Sequence, residues 1–207
     1  MADTTEKLAA AAAAGTAIVT GKYDAPEWHP IVKALHRKAK GIVLPEATYR
    51  GGCHCGAISF DVTLSPPLES LRNESISESG SGSEPAPAHE VVNCSCSVCS
   101  RHGYLLVYPT RDKVVFHNKG GGQARCGTYQ FNLKVQDHLF CKNCGSSVMI
   151  DFLDRFKPAF DGYGINVRSL YDVDLEALNI LKVDGKTGVL PAGDMSGQWY
   201  VESDDEA

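Results

Sequence analysis

The chain has 207 residues, 43% of them apolar and 22% charged, the balance of a soluble globular domain of ordinary size with extensions. A formal net charge of −5, with "HRKAK" (His36–Lys40) as the richest basic run, leaves no electrostatic footprint for nucleic acid. No stretch approaches the roughly eighteen consecutive apolar residues of a membrane-spanning helix, so neither nucleic acid nor membrane is an expected partner.

The N-terminal "MADTTEKLAAAAAAGTAIVTG" carries Asp3 and Glu6 where a secretory signal has positive charge, and the same acids count against a mitochondrial presequence. It reads as a marginal helix with an acidic first turn and a stop at Gly15, and a cytoplasmic location follows as the expectation. Residues 1–46 hold no cysteine and form an N-terminal extension. Within them "PEWHPIVKALHRKAKGIVLP" predicts a short amphipathic helix after Pro30. Ile31, Val32 and Leu35 share one side, packed on the domain, and His36, Arg37 and Lys38 the other.

From Tyr49 onward the period changes from helical to two. "AISFDVTL" (Ala57–Leu64) puts Ile58, Phe60, Val62 and Leu64 on one face, and "GTYQFNLKV" (Gly127–Val135) does the same with Tyr129, Phe131, Leu133 and Val135. "YLLVYPT", "KVVFH", "SSVMIDF" and "ALNILKVDGKTG" add strand candidates between Gly, Pro, Asn and Asp signals, so residues 47–190 are expected to be one mainly β domain. Residues 66–90, "PPLESLRNESISESGSGSEPAPAHE", have too few apolar side chains to order themselves and are expected to be a flexible insertion. Residues 191–207 are a tail ending in the acidic "ESDDEA".

All eight cysteines lie between Cys53 and Cys144. In a reducing compartment, clustering at such short spacing indicates metal rather than disulfides. Cys53-His54-Cys55 puts two sulfurs on one face if the segment is extended, with His54 turned away. Cys141-Lys-Asn-Cys144-Gly145 is a knuckle, whose glycine tolerates the positive φ that brings backbone N–H groups to the thiolates. Together the two pairs complete a closed, structural zinc site of four cysteines joining segments almost ninety residues apart.

Cys94, Cys96 and Cys99, in "NCSCSVCSRHG", can all reach one ion locally, which leaves a fourth position for something from solution. Three thiolates on Zn2+ make an electron-rich centre, poor at activating water but suited to holding a soft substrate sulfur as thiolate. The bland alternative is that Cys126, in "GGGQARCGTYQF", closes a second four-cysteine site; an iron or [2Fe–2S] centre is a weaker rival.

The ordered motifs, with "YRGGCHCGAISF", "CSCSVCSRHG", "HLFCKNCGSSV" and "INVRSL…DLEALNILKVDGK", resemble the glutathione-dependent formaldehyde-activating enzyme family, whose domain centromere protein V shares. The likeness spans about Tyr49 to Gly188. It implies a β-tent (Mss4-like) fold and two zinc ions, one structural on Cys53, Cys55, Cys141 and Cys144, one with an open position on Cys94, Cys96 and Cys99. It further implies a zinc-dependent carbon–sulfur lyase or synthase joining glutathione or another thiol to formaldehyde or another aldehyde. Ser100 stands where many relatives carry a basic residue, so Arg101 and His102 are the nearest cations for an anionic substrate. Asn166 and Arg168 are candidates to reach the site, and His138, just ahead of the knuckle, is a candidate for proton transfer. Two other readings stay open: a non-catalytic zinc module that binds a partner, and a zinc enzyme of this fold with another reaction, such as sulfur elimination or decarboxylation.

Overall fold

The structure, a computed structural model, describes residues 17–18, 25–27, 29–69, 88–117, 122–131, 134–187 and 197. The alanine run, most of the 66–90 insertion and the acidic tail lie outside these residues.

The described chain is mainly β. A two-residue pair, β1 (Ala17–Ile18) and β2 (Ala25–Pro26), precedes helix α1 (Pro30–Ala39). Then come β3 (Ala47–Gly52), β4 (Ser59–Leu64), β5 (Glu90–Cys94), the short helix α2 (Ser97–His102), β6 (Leu106–Val107), β7 (Val114–Phe116) and β8 (Cys126–Tyr129). The last four strands are β9 (Asp137–Cys141), β10 (Ser147–Asp151), β11 (Tyr163–Asn166) and β12 (Asn179–Val183). One sheet has the order β3-β4-β7; the larger runs β12-β5-β6-β11-β10-β9-β8 and is antiparallel except where β12 lies parallel to β5.

β4 carries the predicted alternation faithfully: Phe60, Val62 and Leu64 are buried and the residues between them are half-exposed. The seven-stranded sheet alternates differently, because both of its faces are covered. Val91, Val107, Met149 and Ile165 join Phe60, Val62 and Leu64 in a core against the three-stranded sheet. Their chain neighbours Val92, Leu106 and Ile150 face the other way, into a second core with Phe152, Phe156, Phe160 and α1 residues Ile31 and Val32. This is why "YLLVYPT" and "SSVMIDF" read as unbroken apolar runs.

Helix α1 begins one residue earlier than its pattern suggests. Pro30 occupies the first helical position, where its missing N–H costs nothing, and His29 caps the helix by accepting from the Ile31 N–H at 3.2 Å. Lys33 on α1 pairs with both oxygens of Glu90 at 2.7 Å, tying the helix to the strand that leads into Cys94.

The strand expected over Gly127–Val135 is shorter. β8 stops at Tyr129, the Gln130 amide turns to Asp137 Oδ1 at 2.6 Å, and Phe131 leaves the sheet to stack on Tyr129 at 6.0 Å. Leu133 lies outside the described residues.

Candidate metal centre

Two groups of cysteines converge, one on each face of the large sheet. Cys53, Cys55, Cys141 and Cys144 have all four sulfurs within 4.8 Å of one another, and so do the three sulfurs of Cys94, Cys96 and Cys99. Each group is a donor set that can hold one metal ion, and all eight cysteines are free of disulfides. Cys53 and Cys141 belong to the core between the sheets; Cys96 and Cys99 belong to the aromatic core beneath α1.

The four-sulfur group is assembled by two turns. Extension was expected at Cys53–Cys55, but the chain turns there, with Gly56 at φ +75° returning its N–H to the Cys53 carbonyl at 3.0 Å. The turn replaces strand alternation because the sulfurs must meet a partner hairpin end rather than a neighbouring strand. The sulfurs stand 3.6 Å apart in Cys53–Cys55 and 3.7 Å apart in Cys55–Cys141. His54 is exposed and outside the donor set, its N–H donating to Ser146 Oγ. At the knuckle, Gly145 has the positive φ that the motif predicts, +74°, and its N–H reaches the Cys141 carbonyl at 2.8 Å. Hydrogen bonds from the Ser146 hydroxyl and N–H pull the Cys144 thiol down to about 5, whereas burial pushes Cys53 up to about 11.

The triad straddles the end of β5 and the start of α2, which Gly103 terminates with φ +62°. Cys96 receives hydrogen bonds from Cys94 and Cys99 and is held down to about 3; the two donors are pushed up in return. The loop after β12 seals one side. A Cβ at Gly185 would stand 2.2 Å from Cys94 Sγ and 2.8 Å from Cys96 Cβ, so only glycine fits against these sulfurs.

Cys126 does not join the triad. It pairs with Cys141 across β8 and β9, next to the four-sulfur group, and its thiol is pushed up to about 11 by burial and the neighbouring Cys141. Two closed four-cysteine sites are therefore not the arrangement in this fold.

Beside the triad lies a layer of rings. His102 stacks on Tyr104 at 5.2 Å, Tyr104 on His138 at 5.9 Å, and Phe131 tilts against His138 at 5.6 Å. Tyr104 is only 2% exposed and His138 only 1%, and among the described residues Tyr104 Oη and His138 Nδ1 have no hydrogen-bond partner. Burial, reinforced by the charge of Cys99 and Cys96, keeps the Tyr104 proton on. Burial likewise lowers His138 to about 4, so the imidazole is neutral at pH 7.

Its tautomer follows from a hydrogen-bond chain. The Arg155 guanidinium donates to Gln136 Oε1, which turns the Gln136 amide nitrogen to His138 Nε2 at 3.2 Å. That nitrogen is a donor, so Nε2 accepts and the single ring proton sits on Nδ1. His138 is thus a neutral imidazole whose ring proton sits on Nδ1.

On the far side of His102 opens a cleft of about 440 Å³ lined by Arg101, His102, Gly145, Ser146, Ser147, Asn166, Arg168 and Ser169. None of the triad sulfurs lines it, but His102, one turn of α2 beyond Cys99, forms the shared wall. Of the expected substrate-binding residues, Arg101, His102, Asn166 and Arg168 meet here. Asn166 works chiefly as a bracket: Oδ1 accepts from the Leu105 and Arg168 N–H groups, and Nδ2 donates to the Ser147 carbonyl.

Tyr104, the Arg155–Gln136 chain and Gly185 were not singled out from the sequence. A signal for the first existed: the period of two places Tyr104, Leu106 and Tyr108 on one face, and all three pack in the core of the triad. Gln136 and Arg155 are joined only by the fold.

No family model matches the chain. A crystal structure of a Rhodobacter sphaeroides protein, a structural-genomics target, is similar at 22% identity. The match covers 65% of this chain and 98% of that one, with a TM-score of 0.42.

Proposed function

We propose that this protein belongs to the glutathione-dependent formaldehyde-activating enzyme family. In this reading it has the β-tent (Mss4-like) fold and acts as a zinc-dependent carbon–sulfur lyase or synthase on a glutathione or other thiol adduct. The observation that carries the reading is a three-sulfur metal donor set beside two buried hydrogen-bond donors without partners, Tyr104 Oη–H and His138 Nδ1–H.

The donor chemistry fits zinc at both groups. Zinc–sulfur bonds of about 2.3 Å in a tetrahedron set neighbouring sulfurs about 3.8 Å apart. The 3.6 and 3.7 Å spacings in the four-cysteine group are close to that edge. Cys53, Cys55, Cys141 and Cys144 form the structural site in this reading, and Cys94, Cys96 and Cys99 hold the second ion. When bound there, zinc supplies the positive charge that lets a thiol exist as thiolate at neutral pH.

In the synthetic direction the substrate sulfur forms a bond to the aldehyde carbon. The carbonyl π pair moves to oxygen, which takes up a proton equivalent to the one the thiol gave up. A negative oxygen needs donors that are already in place and dry. Tyr104 and His138 meet that need, since each keeps its proton at pH 7 and neither is committed elsewhere among the described residues. Helix α1 contributes by covering the aromatic core with Ile31 and Val32.

The reading is tested by exchange NMR on glutathione mixed with 13C-formaldehyde and other aldehydes. Added protein is expected to speed interconversion of thiol and adduct, and Cys99→Ala to abolish the effect while the fold persists. No acceleration for any pair would overturn it.

A further inference from the structure

We propose that Ser147 and His102 are a nucleophile and its base, and that the cleft they share hydrolyses small esters and thioesters. This activity is separate from the metal chemistry of the triad: no triad sulfur lines the cleft, and water is the only co-reactant. Ser147 Oγ stands 2.5 Å from His102 Nδ1, within hydrogen-bond reach, and both residues line the cleft of about 440 Å³.

Each partner is held by a different part of the fold. Ser147 is the first residue of β10, and its carbonyl accepts from Asn166 Nδ2, at the end of β11, at 3.0 Å. His102 ends α2, and its ring stacks on the buried Tyr104 at 5.2 Å. That stacking sets the plane of the imidazole, the part a third side chain plays in other nucleophile–base pairs. His102 was expected as a cation, but burial lowers its pKa below 6.5, so the ring is neutral at pH 7 and able to accept a proton. With the ring proton on Nε2, Nδ1 presents its lone pair to the Ser147 hydroxyl.

Donors for the acyl oxygen line the same cleft. Arg101 Nη1 donates to the Ser97 carbonyl and Arg168 Nε to the Gly103 carbonyl, both at 3.0 Å, and among the described residues neither guanidinium pairs with a carboxylate. Each keeps further N–H groups for an oxygen that becomes negative. In the first step the Ser147 oxygen bonds to the acyl carbon and its proton passes to His102 Nδ1. The carbon–sulfur or carbon–oxygen bond of the substrate then breaks, and the leaving thiolate or alkoxide takes that proton. Water next bonds to the acyl carbon and gives a proton to Nδ1, and the Ser147 oxygen leaves with it. The products are an acid and a thiol or alcohol.

The test uses the full-length, zinc-loaded protein with 4-nitrophenyl acetate and S-phenyl thioacetate as substrates and a fluorophosphonate probe as the trap. Hydrolysis is expected to saturate, to rise with pH through a midpoint below 6.5, and to stop as the probe forms one adduct, placed on Ser147 by peptide mass spectrometry. Ser147→Ala and His102→Gln are expected to slow hydrolysis about a hundredfold or more, with little change in urea midpoint. If Ser147→Ala does not fold, adduct mapping on the parent protein decides the assignment. Hydrolysis no faster than in buffer, an adduct on a cysteine or any other residue, or an undiminished rate in Ser147→Ala overturns it.

Discussion

Cys126 and Cys141 are cross-strand partners, paired directly between β8 and β9. That one register contact assigns the eighth cysteine to the neighbourhood of the four-sulfur group and leaves the triad with three sulfurs. Cys126→Ala is expected to leave the metal content per chain unchanged. It should cost about 1 kcal/mol of stability, the order expected for losing one buried heavy atom. Metal analysis together with urea unfolding checks both parts; a metal ion lost with Cys126 would contradict the assignment.

Gly185 tests the triad from outside the motifs. Because its Cβ position lies 2.2 Å from Cys94 Sγ and 2.9 Å from the Cys96 nitrogen, Gly185→Ala must push the β12 loop or the sulfurs aside. Overpacking of this kind costs about 1–3 kcal/mol, so the affinity of the triad for metal should fall by about tenfold or more. The four-cysteine site, on the other face of the sheet, should keep its ion. Chelator competition resolves the two sites, and equal weakening of both would count against a local effect.

Much of this arrangement is readable from the residues, and the exceptions have physical causes. Period two in "AISFDVTL" became β4, with its faces as expected, because only one face of that sheet is packed. The amphipathic pattern of "PIVKALHRKA" became α1 for the same reason. Cysteine spacing grouped the sulfurs as they converge in the fold, since the partners within each motif are local in sequence. Cys53–Cys55 was expected to be extended and is a turn, because spacing of two is compatible with both and only Gly56 hints at the difference. The role of His138 was out of reach, since its tautomer depends on Gln136 and on Arg155, 19 residues beyond that glutamine. Cys126 was likewise undecidable until the register of β8 on β9 was known.

Tyr104→Phe separates stability from activity. Its hydroxyl is buried with no partner among the described residues, and such a group costs stability rather than contributing it. Its removal is expected to leave stability unchanged or raise it by about 1 kcal/mol. If the hydroxyl is a donor to the reacting oxygen, adduct interconversion falls by about a hundredfold. A variant that is both less stable and fully active would contradict both statements.

Acid sensitivity should follow from His29. Burial lowers its pKa from 6.5 to about 3, so at intermediate pH the unfolded chain binds a proton that the folded one excludes. The folded state is therefore favoured above about pH 6.5 and loses this contribution as pH falls from there toward 3, with a slope of up to about 1.4 kcal/mol per pH unit. His29→Asn keeps a helix-capping acceptor and removes the imidazole. The variant should lose less stability than the parent between pH 7 and pH 5.5, as read by urea midpoints. Equal losses would mean that His29 takes up its proton without unfolding.

In the proposed reading, Cys94, Cys96 and Cys99 hold a metal ion with one position open to a thiol. Thiol titration of the cobalt-substituted protein, followed in the sulfur-to-cobalt charge-transfer region, addresses it most directly. Two metal ions per chain are expected, with a saturable new band on adding thiol that is absent in Cys99→Ala and unaffected by Cys126→Ala. A spectrum that no thiol alters, in protein carrying both ions, would contradict it.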